Sequence, residues 1–297
     1  MQINYEEKFQ EVWKDLTTEQ QVRPVNNPKG FVLGGQPGAG KSAMVERLVN
    51  ELDYNLLVIN GDEFRRYHPD FDAIQAKYGK DAPKYTAEFS GKITGMAIQK
   101  ALAEKYNVSV EGTFRTAETP MNTLDDMKRH GYETAVYIQT APKDVSWAST
   151  IERYNAMEKL GEQPRATPKE HHDLVVSLLP QNADTVFKSG KADNFRVYAR
   201  DDIMLFDDKL HAGQQPGSFI EKELHRNERL LAELQQRHAD NHHLLTPMQK
   251  TVFQEAKKII GQLPPEHQIQ AKLNLYSTQI EQIEQTRQMD SGPEIER

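Results

Sequence analysis

Phe31-Val32-Leu33 runs directly into Gly34-Gly35-Gln36-Pro37-Gly38-Ala39-Gly40-Lys41-Ser42, an apolar stretch, a glycine-rich turn and a Lys-Ser pair. Within it Gly35, Gly40, Lys41 and Ser42 satisfy G-x-x-x-x-G-K-[ST]. Glycines at this spacing let backbone N–H groups close around phosphates, a lysine reaches the terminal phosphates and a hydroxyl offers an oxygen ligand to Mg²⁺. Met44, Val45 and Leu48 follow at helical intervals, so a strand enters the loop and a helix leaves it, which is the context the motif requires. The helix adds unpaired amides and a positive dipole end at the same point.

A strand–loop–helix unit of this kind belongs to an alternating α/β chain, and the rest of the sequence alternates accordingly. Tyr5 to Leu16 carries Phe9, Val12, Trp13 and Leu16 at helical spacing, followed by a polar linker. Leu56 to Ile59 is a short continuous apolar run, the pattern of a strand buried on both faces, and Asp62 stands just beyond it. Phe89, Ile93, Ala97 and Ala101 mark a helix, Val108 to Val110 a second buried strand ending at Glu111, and Thr119-Pro120 another helix start. Gly131 stops that helix before a strand over Thr134 to Gln139, and a helix follows around Trp147 to Met157. Thr167-Pro168-Lys169-Glu170 reads as a capping box with proline at the first helical position. Asn194 to Tyr198 and Ile203 to Phe206 flank Asp201-Asp202 as strand, turn and strand.

The expected fold is therefore α/β, a P-loop kinase-like parallel sheet covered by helices, with an α-helical C-terminal extension. Three regions are expected: an N-terminal helix and linker over residues 1–29, a P-loop domain over 30–212, and a helical extension over 213–297 with a disordered end from Asp290. Two or three helices are expected in that extension, with Leu230, Leu231, Leu234, Phe253 and Ile259 as its core.

Composition removes several classes of function. With 44 acidic against 37 basic residues among 297, the net charge of -7 argues against a dedicated nucleic-acid binder. The chain has no cysteine, so disulfides, thiol catalysis and thiolate metal sites are excluded. No apolar run reaches the length of a membrane span and Met1 to Lys14 lacks a secretory core, so a cytoplasmic protein without a membrane partner is expected.

Ligands of open α/β sheets sit beyond the carboxyl ends of the strands, which gathers Gly35 to Ser42, Asp62 and Glu111 to Arg115 at one edge. Asp62 has three readings: Mg²⁺ ligand, general base toward an acceptor hydroxyl, or cap of the next helix. Glu111-Gly112-Thr113-Phe114-Arg115 combines an acid, a hydroxyl and a guanidinium on a softened turn, suited to an anionic acceptor or else an ordinary surface loop. Arg153 lies away from the stripe of Trp147, Ile151 and Tyr154, and Arg165 precedes a helix; both could neutralise charge on a transferred phosphoryl group, or be solvated. The adjacent pairs His171-His172 and His242-His243 diverge by about 100° on a helix and read as surface residues rather than metal ligands.

Five blocks taken in order, Gly34 to Ser42, Ile59 to Asp62, Val110 to Thr116, Ile151 to Tyr154 and Arg165 to Asp173, resemble the zeta toxins of bacterial toxin–antitoxin systems. The resemblance implies a kinase that uses ATP and Mg²⁺ to phosphorylate the 3′-hydroxyl of the sugar in UDP-N-acetylglucosamine, a cell-wall precursor. It implies that Gly35, Gln36, Pro37, Gly38, Ala39, Gly40, Lys41 and Ser42 bind the nucleotide, with Ser42 on the metal, and that Asp62 is the base. Glu111, Thr113 and Arg115 would hold the UDP-sugar, and Arg153 and Arg165 would clamp phosphate. An epsilon-like antitoxin is the implied partner. One position departs from the family pattern: Gly95 stands where members commonly carry an acid, which admits another UDP-sugar. Two rivals share the P-loop, a kinase for another small alcohol such as an antibiotic or nucleoside, and a non-catalytic nucleotide-dependent interaction module.

Overall fold

The structure, a computed structural model, describes residues 3–160 and 166–290. Its strands are β1 (Lys29–Gly34), β2 (Leu57–Ile59), β3 (Val108–Glu111), β4 (Glu133–Gln139), β5 (Asn194–Tyr198) and β6 (Met204–Asp207). The helices up to β6 are α1 (Tyr5–Gln20), α2 (Lys41–Glu51), α3 (Phe71–Tyr78), α4 (Ala82–Ala103), α5 (Glu118–Arg129), α6 (Lys143–Lys159) and α7 (Lys169–Lys188). After β6 come α8 (Pro216–Leu224), α9 (Arg226–Asn241), α10 (Pro247–Ile260) and α11 (Pro265–Asp290).

The strands form one sheet in the order β2-β3-β1-β4-β5-β6. All neighbours are parallel except the antiparallel edge pair β5 and β6. Alternation along the strands divides the core in two. Phe31 and Leu33 of β1 with Ala135 and Tyr137 of β4 pack against Met44 and Leu48 of α2. Val32, Val136 and Ile138 face the opposite way, into a larger cluster with Phe9 and Trp13 of α1, Phe89 and Ile93 of α4, and Leu179 of α7. The apolar stripes of α1 and α4 thus have the partner their spacing called for. β1 is central, with β3 on one side and β4 on the other, so the chain switches sides at the strand that ends in the P-loop.

Several local expectations are corrected. The helix expected at Pro168 begins at Lys169; Pro168 is extended (φ -60, ψ 137) and occupies the cap position itself, so no capping-box hydrogen bond forms there. Pro120 is the third residue of α5, which starts at Glu118. The buried face of α6 is Ser146 and Thr150, whereas Trp147, Ile151 and Tyr154 are only half-buried. His172 is buried, 1% exposed, rather than on the surface; its Nε2 lies 2.9 Å from Ser146 Oγ, joining α7 to α6.

Four α-helices, not two or three, follow β6 among the described residues. α8 and α9 meet at His225 with no glycine or proline between them, so the junction carries no sequence signal. Ile220 and Leu224 of α8 belong to the main core, while Leu234, Phe253, Leu273, Tyr276 and Ile280 form a separate cluster among α9, α10 and α11. Leu230 and Ile259 are exposed, 43% and 62%, because Leu231, Leu234 and Ile260 define the inward phase of their helices. Asn227 donates to Asp144 and Lys143 pairs with Glu228, tying α9 to the start of α6. The end expected to be disordered lies, from residue 291, outside the described residues.

Phe195 of β5 is 2% exposed and makes edge contacts with Phe187 and Phe206, which spread the packing across the β5–β6 edge. Phe195→Ala should therefore lower unfolding free energy by about 3–5 kcal/mol, read as a fall in urea midpoint with the native far-UV spectrum retained.

Candidate active site

β1 ends at Gly34 and the chain turns through Gly35, Gly38 and Gly40, all with positive φ (141°, 76° and 100°), before α2 begins at Lys41. The first two glycines are also required by contact. A Cβ at Gly35 would stand 2.1 Å from the Gln139 carbonyl oxygen, and one at Gly38 would stand 2.0 Å from that of Ser146. The loop is pressed between the end of β4 and the first turn of α6. Gln36 is buried there and donates to the Ala141 carbonyl at 2.7 Å.

Lys41 Nζ donates to the carbonyls of Gly35 at 2.9 Å and Gln36 at 3.4 Å, holding the ammonium across the mouth of the loop. Burial lowers its pKa below the ordinary lysine value; Glu111 opposes that fall, Arg153 adds to it and Asp62 opposes it. Glu111, the last residue of β3, is half-buried and accepts from Asn60 Nδ2 at 3.3 Å. Burial raises its pKa, Lys41 pulls it back, and Asp62 and Glu63 push it higher. The acid and the lysine therefore face each other across the strand ends, each in a setting that disfavours its charge.

Asp62 follows β2 by three residues. It stands at the N-terminus of a single 3-10 turn, Glu63–Tyr67, but makes no capping hydrogen bond. Its Oδ1 accepts from Arg65 Nε at 2.9 Å, and Arg65 reaches on to the Pro83 carbonyl and Thr86 of α4. Of the three readings for Asp62, capping is thereby corrected: a guanidinium, not backbone N–H, takes the carboxylate. Sequence reading passed over Arg65, although its place one helical turn after Asp62 was the available signal. The turn after Glu111 is held by Gly112 N donating to the Leu33 carbonyl at 2.9 Å and by the buried Phe114 ring seated on Gly34. Thr113 is half-buried and Arg115 exposed, and His171 of α7 is close enough to feel Arg115 and Asp62, its pKa lowered chiefly by burial.

A cavity of about 480 Å³ lies over the P-loop. It is lined by Gly38 to Ala43, Asn60, Glu111 and Gln139, by Ser149 and Arg153 of α6, and by Arg200, Asp201 and Asp202 of the β5–β6 turn. Lys41, Ser42, Glu111 and Arg153 are thus brought together as the sequence suggested. Arg165 lies outside the described residues. Asn60, Ser149 and Arg200 were missed; Asn60 and Arg200 carried a signal, their places just past the carboxyl ends of β2 and β5, and Ser149 carried none. The site fits a polyphosphate: loop amides, a lysine and two arginines converge on one cavity, with the exposed Ser42 hydroxyl as a hard oxygen donor at its floor.

Fold and site together define a P-loop kinase-like α/β protein. The zeta toxin family model matches residues 14–211, and the chain belongs to that family. Toxin zeta of Streptococcus pyogenes is 34% identical over 269 residues, covering 86% of this chain and 93% of that protein. Toxin PezT of Streptococcus pneumoniae serotype 4 is 36% identical over 183 residues, 61% of this chain and 72% of its own length. A solved structure from the PezAT chromosomal toxin–antitoxin system of Streptococcus pneumoniae superposes with a TM-score of 0.67 at 26% identity, covering 75% of this chain and 88% of that one.

The opposed shifts of Lys41 and Glu111 make a two-way expectation. Lys41→Met removes the cation that draws the Glu111 pKa down, so the Glu111 carboxyl should titrate at still higher pH. Glu111→Gln removes the anion that supports the ammonium, so Lys41 should lose its proton at still lower pH. Side-chain carbon NMR titrations read both, and unmoved titrations would show that the groups do not interact.

Proposed function

We propose that this protein is an ATP-dependent kinase that phosphorylates the 3′-hydroxyl of the sugar of UDP-N-acetylglucosamine or a related UDP-sugar, and acts as the toxin of a toxin–antitoxin pair. The observation that carries the reading is a phosphate cradle at the carboxyl end of β1 that has the Glu111 acid of neighbouring β3 on its wall, with Thr113 and Arg115 following in the turn beyond that strand. A donor site alone would need only the first. Family membership supports the choice of acceptor.

In this reading the P-loop amides and Lys41 bind the donor's phosphates. Ser42 would hold Mg²⁺, which would supply positive charge against that of the phosphates. Asp62 takes the proton from the acceptor hydroxyl, with Arg65 holding its carboxylate. Glu111 and Thr113 accept or share hydrogen bonds with the sugar, and Arg115 pairs with the acceptor's diphosphate. Arg153, with Arg165, neutralises charge that grows on the phosphoryl group in flight. Gly95 is exposed on α4, with no atom within 4 Å of where a Cβ would stand, so this position offers the sugar no side chain. Among the described residues no helix is long and apolar enough to cross a membrane, and both substrates of this reaction are met in the cytoplasm. An antitoxin that covers the cleft is the proposed partner, in line with the toxin–antitoxin system from which the solved neighbour comes.

Phosphorus NMR after incubation with ATP, Mg²⁺ and a panel of UDP-sugars, alcohols and nucleosides tests the proposal. A new phosphomonoester on a UDP-sugar is expected; transfer only to nucleosides, or none at all, would sink it. Asp62→Asn should lower transfer by about 10²–10⁴-fold while calorimetry shows ATP affinity unchanged, a separation that a purely nucleotide-binding module would not display.

A further inference from the structure

Arg200 lies two residues beyond β5, at the start of the β5–β6 turn. Asp201 and Asp202 both have positive φ (59° and 57°), and Ala199 N donates to the Ile203 carbonyl at 2.8 Å, so the turn is a tight two-residue one. Its far side is pinned to the P-loop helix. Arg47 of α2 pairs with Asp202 at 2.9 Å and lies 4.0 Å over the Tyr198 ring. From this fixed base Arg200 Nη2 donates to the Gly38 carbonyl at 2.6 Å and to Ser149 Oγ at 2.7 Å. One nitrogen thus joins the crown of the P-loop to α6.

Ser149 and Arg153 are four residues apart, so they share one face of α6, and both line the cavity over the P-loop. Arg200 Nε is buried and has no hydrogen-bond partner among the described residues. Holding a guanidinium with a buried unpaired N–H costs free energy, and the contacts made by Nη2 are what the arrangement returns. A side chain needed only for local stability would be under no requirement to reach both elements.

We infer that Arg200 is a positioning residue that fastens α6, and through it Arg153, to the P-loop, so that the arginine reaches the transferring phosphoryl only while the clamp is made. The effect on transfer rests on the kinase reading above; the clamp itself does not. Amide hydrogen exchange across α6 reads the clamp without any reaction. Arg200→Ala and Ser149→Ala should each speed exchange in the Ser146 to Arg153 stretch by about tenfold, the loss of the charge-assisted hydrogen bond that joins Arg200 to α6, with local-opening exchange in α1 unchanged. Ser149→Ala places a strong helix former at a half-buried position, so it carries the test if the arginine variant does not fold. Unaltered exchange would overturn the clamp.

Activity then tests the route through Arg153. Arg200→Ala should lower kcat at least tenfold with a smaller change in KM for ATP, and should lower it less than threefold when placed on Arg153→Ala. A full tenfold loss in that second background would overturn action through Arg153. Failure of the unmutated protein to phosphorylate any UDP-sugar would count against the kinase reading, with exchange still deciding the clamp.

Discussion

The rest of the site depends on how closely the P-loop backbone lies against the end of β4 and the start of α6. With the Gln139 and Ser146 carbonyl oxygens standing where Cβ atoms would be, neither Gly35 nor Gly38 can carry a side chain. The neighbours must be small and polar as well. α6 therefore buries Ser146 and Thr150 on this face instead of its apolar residues. The sheet edge is bound by amide side chains, Gln36 to the Ala141 carbonyl and Gln139 to the Ala199 carbonyl, both 2.7 Å. Each amide donor thereby gains a carbonyl partner, as most buried polar groups do. The apolar core thus ends one residue short of the loop, and a hydrogen-bonded layer takes over where charge is to be handled.

This boundary also marks how far the sequence could be read. Below it, whole faces are buried, and burial of a face leaves a period. Phe89, Ile93, Ala97 and Ala101 of α4 and the short runs of β2 and β3 were legible for that reason. The strand-end rule then located the P-loop, Asp62 and Glu111 without any knowledge of side-chain direction. Above the boundary, contacts are made singly, by residues distant in the chain. Ser149 and Arg200 meet across 51 positions, and buried His172 is hydrogen-bonded to a serine on another helix; neither leaves a trace in periodicity. The α8–α9 junction failed for a different reason, since two helices can meet at His225 without a residue that breaks either.

The appended helices are not independent of the site. α9 is tied to the first turn of α6 through Asp144 and Lys143, and the same helix presents Ser149 and Arg153 to the cavity one and two turns further on. α6 is consequently gripped at its start by the extension, along its buried face by the P-loop, and through Ser149 by the β5–β6 turn. A helix held at three points offers its side chains in a narrow range of positions, which is what orientation of a charged group in phosphoryl transfer requires.

The charges in the cleft carry a further consequence. Burial disfavours both the Lys41 ammonium and the Glu111 carboxylate, and each lessens the other's shift. An incoming polyphosphate acts on the two in opposite senses. Its negative charge favours protonated Lys41, restoring the cation that binds it, and disfavours ionised Glu111 on the same cavity wall. Glu111 is therefore a cost to donor binding in this protein, moderated by Lys41 and by the Asn60 amide that donates to it. In the proposed function this acid serves the acceptor rather than the donor's phosphates. The chemistry agrees with that proposal: the hydroxyls of a sugar can donate to Glu111, whereas ionised phosphate oxygens cannot.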